Sequence, residues 1–157
     1  MIRKGVLSNV KSSDNNIEQF DFWSQNPCGA DGDLNKHLQQ RYRIEPWLLK
    51  ELRTIPTEYK KYLEVGCGQG ADCFYICSNL GKEAEYIAID YSLASLKRAA
   101  SFTSEAKKLF DLNTIPKFLH GDASSLIFSK EEFDFVYSLG VLHHTPNPQK
   151  CINEIHL

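Results

Sequence analysis

A chain of 157 residues with 42% apolar content is long enough for one domain with a real core, and its formal charge of −2 at pH 7 argues against a basic nucleic-acid groove. The lysine pairs Lys60-Lys61 and Lys107-Lys108 are isolated, the opening MIRKGVLSNV lacks the apolar run of a signal peptide, and no stretch approaches the roughly 20 apolar residues that span a bilayer. The expectation is a cytoplasmic protein with no nucleic-acid or membrane partner.

Residues 1–15 are polar, with Ser12, Ser13, Asp14 and Asn15 in a row, and read as a disordered N-terminus. Residues 16–58 read as a helical lead-in. Ile17, Phe20 and Trp23 recur at near-helical spacing from about Asn16 to Ser24, and Pro27 and Gly29 end that helix. Asp33 suits the N-cap of a second helix through about Ile44, and Pro46 the first turn of a third that runs to Leu52. From residue 59 to residue 157 strands alternate with helices, the pattern of an α/β fold with a parallel sheet and helices on both faces. The predicted strands are Tyr62 to Val65, Tyr86 to Ile89, Lys117 to His120 and Phe133 to Ser138. Between them lie helices from Ala71 to Leu80 and from Leu93 to Phe110, the latter capped by Ser92, and a last helix begins near Pro148.

Five cysteines, Cys28, Cys67, Cys73, Cys77 and Cys151, form an odd set without paired CxxC spacing, so no disulfide framework is expected. Cys73 and Cys77 share a helix face and would suit either a metal, together with His120 or His143, or plain packing against the sheet.

The most informative stretch is YLEVGCGQG, Tyr62 to Gly70, where an apolar strand carries Glu64 and breaks into Gly66, Gly68 and Gly70 ahead of a helix. Such a turn lets a ligand approach the backbone closely, at the carboxyl end of a parallel strand. Gly66, Gly68 and Ala71 also satisfy the G-x-G-x-x-G/A pattern of nicotinamide and flavin enzymes. Two carboxylates decide against a diphosphate: Glu64 beside the turn would repel it, and Asp90, closing the run YIAID, is placed to accept both hydroxyls of a ribose. Together they describe an adenosine ligand that carries positive charge.

These residues resemble the class I S-adenosylmethionine-dependent methyltransferases. EVGCGQG matches that family's first motif, and Asp90, Gly121-Asp122-Ala123 and FDFVYSLGVLHHTPNP follow in the family's order. The likeness is closest to the small-molecule branch called type 11, which also carries the upstream W-x-x-N-P-C-G found at Trp23 to Gly29, and it spans about residues 20 to 157. The resemblance implies a Rossmann-like domain that takes S-adenosyl-L-methionine as cofactor and methylates a small-molecule acceptor.

It also implies roles. Glu64, Gly66, Cys67, Gly68, Gly70 and the Ser138-Leu139 turn would hold the methionine end, Asp90 the ribose, Tyr91 one adenine face, and Asp122 with the Ala123 N–H the adenine edge. His143 or His144, just past the fourth strand, could take a proton from the acceptor; the two cannot both point the same way, and His143 is the candidate general base, with a packing role as its plainer reading. Trp23, Asn26, Pro27 and Cys28 would fold over the cofactor mouth or simply cover the sheet. Plainer readings stand beside these: a tight turn for the glycines, a helix cap for Asp90, turn chemistry for Asp122. A noncatalytic cofactor-binding protein and an NAD-dependent oxidoreductase are the competing functions. The family's seven strands run in the order 3-2-1-4-5-7-6, of which only 3-2-1-4 is expected here. The chain therefore reads as truncated, or as self-associating through the exposed edge of the fourth strand.

Overall fold

The computed structural model describes residues 6–8, 22 and 32–156. Five parallel strands form one sheet: β1 (Val6–Ser8), β2 (Lys61–Val65), β3 (Glu85–Asp90), β4 (Lys117–His120) and β5 (Phe135–Tyr137), in the order β1-β4-β3-β2-β5. Accompanying it among the described residues are the helices α1 (Leu34–Ile44), α2 (Leu48–Leu52), α3 (Ala71–Asn79), α4 (Leu93–Phe110) and α5 (Pro148–Ile155), with a 3-10 turn at Leu142–His144. Counted from β2, the strands follow the expected order 3-2-1-4, and β5 has no further strand on its outer side among the described residues.

Side-chain alternation along β2 and β3 sorts two cores. Tyr62, Tyr86 and Ala88 face α1, α3 and α4, where Phe74, Leu96, Ala99 and Phe102 are buried. Leu63, Val65 and Ile89 face the opposite way, against Cys151 of α5. Both faces of β2 are covered, which is why only its first residue is exposed. The helices begin where capping chemistry puts them: the Asp33 carboxylate accepts from the Lys36 N–H, the Ser92 hydroxyl from the Ser95 N–H and the Asn147 amide oxygen from the Lys150 N–H.

Two expectations need correction. Val6–Ser8, read within a disordered terminus, is a strand whose backbone pairs with β4 from Phe118 to His120. The fourth predicted strand is shorter than Phe133 to Ser138: only Phe135–Tyr137 pairs in register with β2, and side chains anchor the residues on either side. Phe133 packs edge-on against Phe128 at 4.8 Å, Asp134 accepts from the N–H groups of Lys60 and Lys61, and the Ser138 hydroxyl donates to the Val65 carbonyl at 2.9 Å. The helix expected from Asn16 to Ser24, with Trp23, Asn26, Pro27, Cys28 and Gly29, lies outside the described residues apart from Phe22, which is exposed.

Burial predicts where the fold is sensitive. Phe74 is fully buried and meets Phe118 edge-on at 6.1 Å, so Phe74→Ala is expected to cost about 4 kcal/mol in urea unfolding, whereas Leu109→Ala, at a half-exposed site, costs under about 1 kcal/mol. Equal losses would contradict this packing.

Candidate functional site

The glycine turn is stapled to the end of β3. Gly66 and Cys67 donate to the Ile89 carbonyl at 2.8 and 2.9 Å, and the Gly68 N–H donates to Asp90 Oδ2 at 2.7 Å. Gly66 has φ +83, and a Cβ there would meet Val141 Cγ2 at 2.2 Å, so the β5 loop closes over a position where no side chain fits. A Cβ on Gly68 would meet nothing within 4 Å, because that glycine borders open space. The space is a cavity of about 370 Å³ at the carboxyl ends of the strands, where open parallel sheets bind their ligands.

Carboxylates form much of its floor. Glu64 is 3% exposed and accepts from the Tyr86 hydroxyl at 2.8 Å. Burial, and then the neighbouring charge of Asp72, push its pKa up to about 8 despite that hydrogen bond. Asp90 accepts from the N–H groups of Gly68 and Ser92, both at 2.7 Å, yet burial still raises its pKa. Asp122 accepts from the Ser124 N–H at 2.8 Å in a turn beyond β4.

α1 forms the opposite wall. His37, Gln40, Arg41 and Ile44 recur at i, i+3, i+4 and i+7 and all line the cavity, while Leu34 and Leu38 sit in the core. Arg41 grips Asp72 with Nε at 3.2 Å and Nη2 at 2.7 Å and also pairs with Glu45. Tyr137 of β5 donates to Asp72 Oδ2 at 3.1 Å; burial and the Asp72 charge raise its pKa and keep it the donor. One carboxylate thereby ties the lead-in helix, the helix after the glycine turn and the edge strand together.

Of the residues expected from sequence, Glu64, Gly66, Cys67, Gly68, Asp90, Tyr91, Asp122, Ala123 and Leu139 line this cavity. Gly70 does not; its missing side chain faces Phe74 and Ala99 of the core. Ser138 spends its hydroxyl on Val65. Of the two neighbouring histidines, His144, with Thr145 and Pro146, lines the cavity, and the His143 ring lies against the His144 ring with centroids 3.9 Å apart. Sequence reading also missed His37, Arg41 and Asp72, although the first two share one face of a helix whose cap was legible. Among the described residues no group of three or more His, Cys, Asp or Glu is arranged to hold a metal ion.

A family model described as a methyltransferase domain matches residues 56–157. With the turn, the two strand-end carboxylates and the strand order, this places the chain in the class I S-adenosylmethionine-dependent methyltransferase family. Among curated relatives, arsenite methyltransferase of Rattus norvegicus is 28% identical over 101 residues, 61% of this chain and 27% of that one. Phthiotriol/phenolphthiotriol dimycocerosates methyltransferase of Mycobacterium tuberculosis is 31% identical over 96 residues, 61% of this chain and 32% of that one. The chain thus spans a third or less of the length of these two relatives. The solved structure of magnesium protoporphyrin IX methyltransferase from Synechocystis PCC 6803, with bound SAM, superposes with a TM-score of 0.58 at 19% identity, over 94% of this chain and 73% of that one. At that identity it shows the fold.

Glu64 makes stability depend on pH with a definite sign. Its folded pKa of about 8 lies above the ordinary 4.5, so the stability it lends is complete below 4.5 and is lost as pH rises through 8. Thermal melts of the ligand-free protein should therefore show Glu64→Gln gaining on the wild type between pH 5 and pH 9. Parallel melting curves across that range would mean the carboxylate is not desolvated.

Proposed function

We propose that the cavity binds S-adenosyl-L-methionine and that the protein to which this domain belongs transfers the methyl group to a small-molecule acceptor. The observation that carries this reading is the acid chemistry of the floor: a glycine turn backed by the buried Glu64 carboxyl, which holds its proton up to about pH 8 and can become the counter-charge of an arriving cation, with Asp90 at the next strand end. A diphosphate brought there would face two carboxylates, whereas a sulfonium nucleoside brings a positive charge. The residues fit that group on a further count. Gly68 borders open space, so a ligand can come close to the backbone of the turn.

When bound, the cofactor supplies a methyl group electrophilic enough for direct in-line transfer, so positioning is the main task left to the protein. Asp90, which lines the cavity beside the Gly68 N–H, would accept from ribose hydroxyls, and Tyr91 would lie along the base. Asp122 and the Ala123 backbone border the same end of the cavity and suit an adenine edge. His144 faces the cavity from the turn after β5 and takes the general-base role for an acceptor that must lose a proton.

Thermal shift and calorimetry test the reading. S-adenosylhomocysteine should raise the melting temperature and NAD should not, because only a ligand bound by the folded state stabilises it. Asp90→Ala should weaken S-adenosylhomocysteine by at least about tenfold, the scale of hydrogen bonds to a charged group. A shift with NAD alone would point to an oxidoreductase, and unchanged affinity in Asp90→Ala would remove the ribose assignment.

A further inference from the structure

The backbone of Tyr91 is held by a side chain that stands behind the cavity wall. His120 ends β4, is 5% exposed and does not line the cavity, yet its Nε2 lies 2.9 Å from the Tyr91 carbonyl. A carbonyl oxygen only accepts, so the imidazole carries a proton on Nε2 and donates it to this bond. The strand end that presents the imidazole is fixed from both sides. β4 pairs with β3 and with β1, and His120 stands level with Asp90 on one side and Ser8 on the other.

The bonds along the segment from Asp90 to Ser92 divide between its residues. The Asp90 carboxylate accepts from the N–H groups of Gly68 and Ser92, and its carbonyl accepts from the Gly121 N–H at 3.1 Å. All three donors are backbone groups, so Asp90 is held whatever side chain occupies position 120. The Tyr91 carbonyl differs, because its donor is the His120 ring itself. Burial, and then the Asp122 charge, raise the Tyr91 pKa, which sets its phenol toward the end of the cavity where Asp122 and Ala123 stand. Without the imidazole the Tyr91 peptide gains freedom to turn, and its ring would leave that end while Asp90 stayed.

We infer that His120 is a positioning residue for the adenine base: its bond to the Tyr91 carbonyl sets where the Tyr91 ring stands and thereby the affinity for the base, leaving the ribose contact of Asp90 alone. This rests on the cofactor reading above and extends it to a residue outside the cavity. Such a supporting group raises affinity by holding another side chain in the binding geometry, without touching the ligand. It also gives β1 a part in the site, since its pairing at Ser8 steadies the strand end that carries the imidazole.

A double-mutant cycle in S-adenosylhomocysteine affinity, read by calorimetry, tests the assignment. His120→Leu removes the donor and keeps the site filled; it should weaken the ligand about fivefold to tenfold, within what an aromatic platform contributes under a base. In a Tyr91→Ala background, which keeps the carbonyl and lacks the ring, the same change should cost less than about twofold. His120→Gln, whose amide N–H reaches as far as Nε2, should bind close to the wild type, a rescue that a merely structural role would not give. His120→Asn, too short for that carbonyl, takes the place of His120→Leu if the latter does not fold. Equal losses in the two backgrounds would assign His120 to Asp90 or to the fold at large and overturn the inference. So would full affinity in the variants that lack the donor, no rescue by His120→Gln, or a Tyr91→Ala protein that binds as tightly as the wild type. A wild-type protein that does not bind S-adenosylhomocysteine would overturn the cofactor reading itself.

Discussion

One buried carboxylate constrains this structure. Glu64 stands on β2, between β3 and β5, on the face that also carries Tyr62, and no ion pair to it forms among the described residues. Desolvation makes its charged form costly, and the Tyr86 hydroxyl donates to it at 2.8 Å. A fold that optimised stability alone would put an apolar side chain there. The acid makes sense as part of a site whose missing positive charge arrives with a ligand, and the strain is then a stored preference for cations over phosphates.

A second set of charges does different work. Arg41, Asp72 and Tyr137 bond to one another, with Glu45 as a further partner of Arg41, and fasten α1 to α3 and β5. That fixes which face of the helix looks into the cavity, and it places His37 and Gln40 there. Family membership fixes the kind of donor far better than the acceptor, since acceptor choice depends on whatever lines the rest of the cavity mouth.

The central β/α part of the fold was legible because local signals agreed with the tertiary result. Ser92 before an amphipathic run marked the start of α4, and Lys117 to His120 read correctly as a strand between turn residues. β1 was not legible: three residues in a polar terminus carry no period, and their strand exists only because β4 offers a free edge more than a hundred positions later. The acid positions of the site were readable from the turn and strand ends. Arg41 and Asp72 were not, being 31 residues apart and joined only by the packing of α1 on α3. The choice between His143 and His144 depends on the phase of a single 3-10 turn, a quantity that two identical neighbouring residues do not encode.

The claim that Glu64 is the counter-charge of the ligand is measured most directly by proton linkage. Calorimetric titration with S-adenosylmethionine at pH 7, repeated in buffers of different ionisation enthalpy, counts the protons exchanged on binding. Because Glu64 is protonated below its pKa of about 8, arrival of the cation should release close to one proton at pH 7 and progressively fewer above pH 8, and Glu64→Gln should release none. Binding with no proton release in the wild type, or no binding at all, would contradict the account.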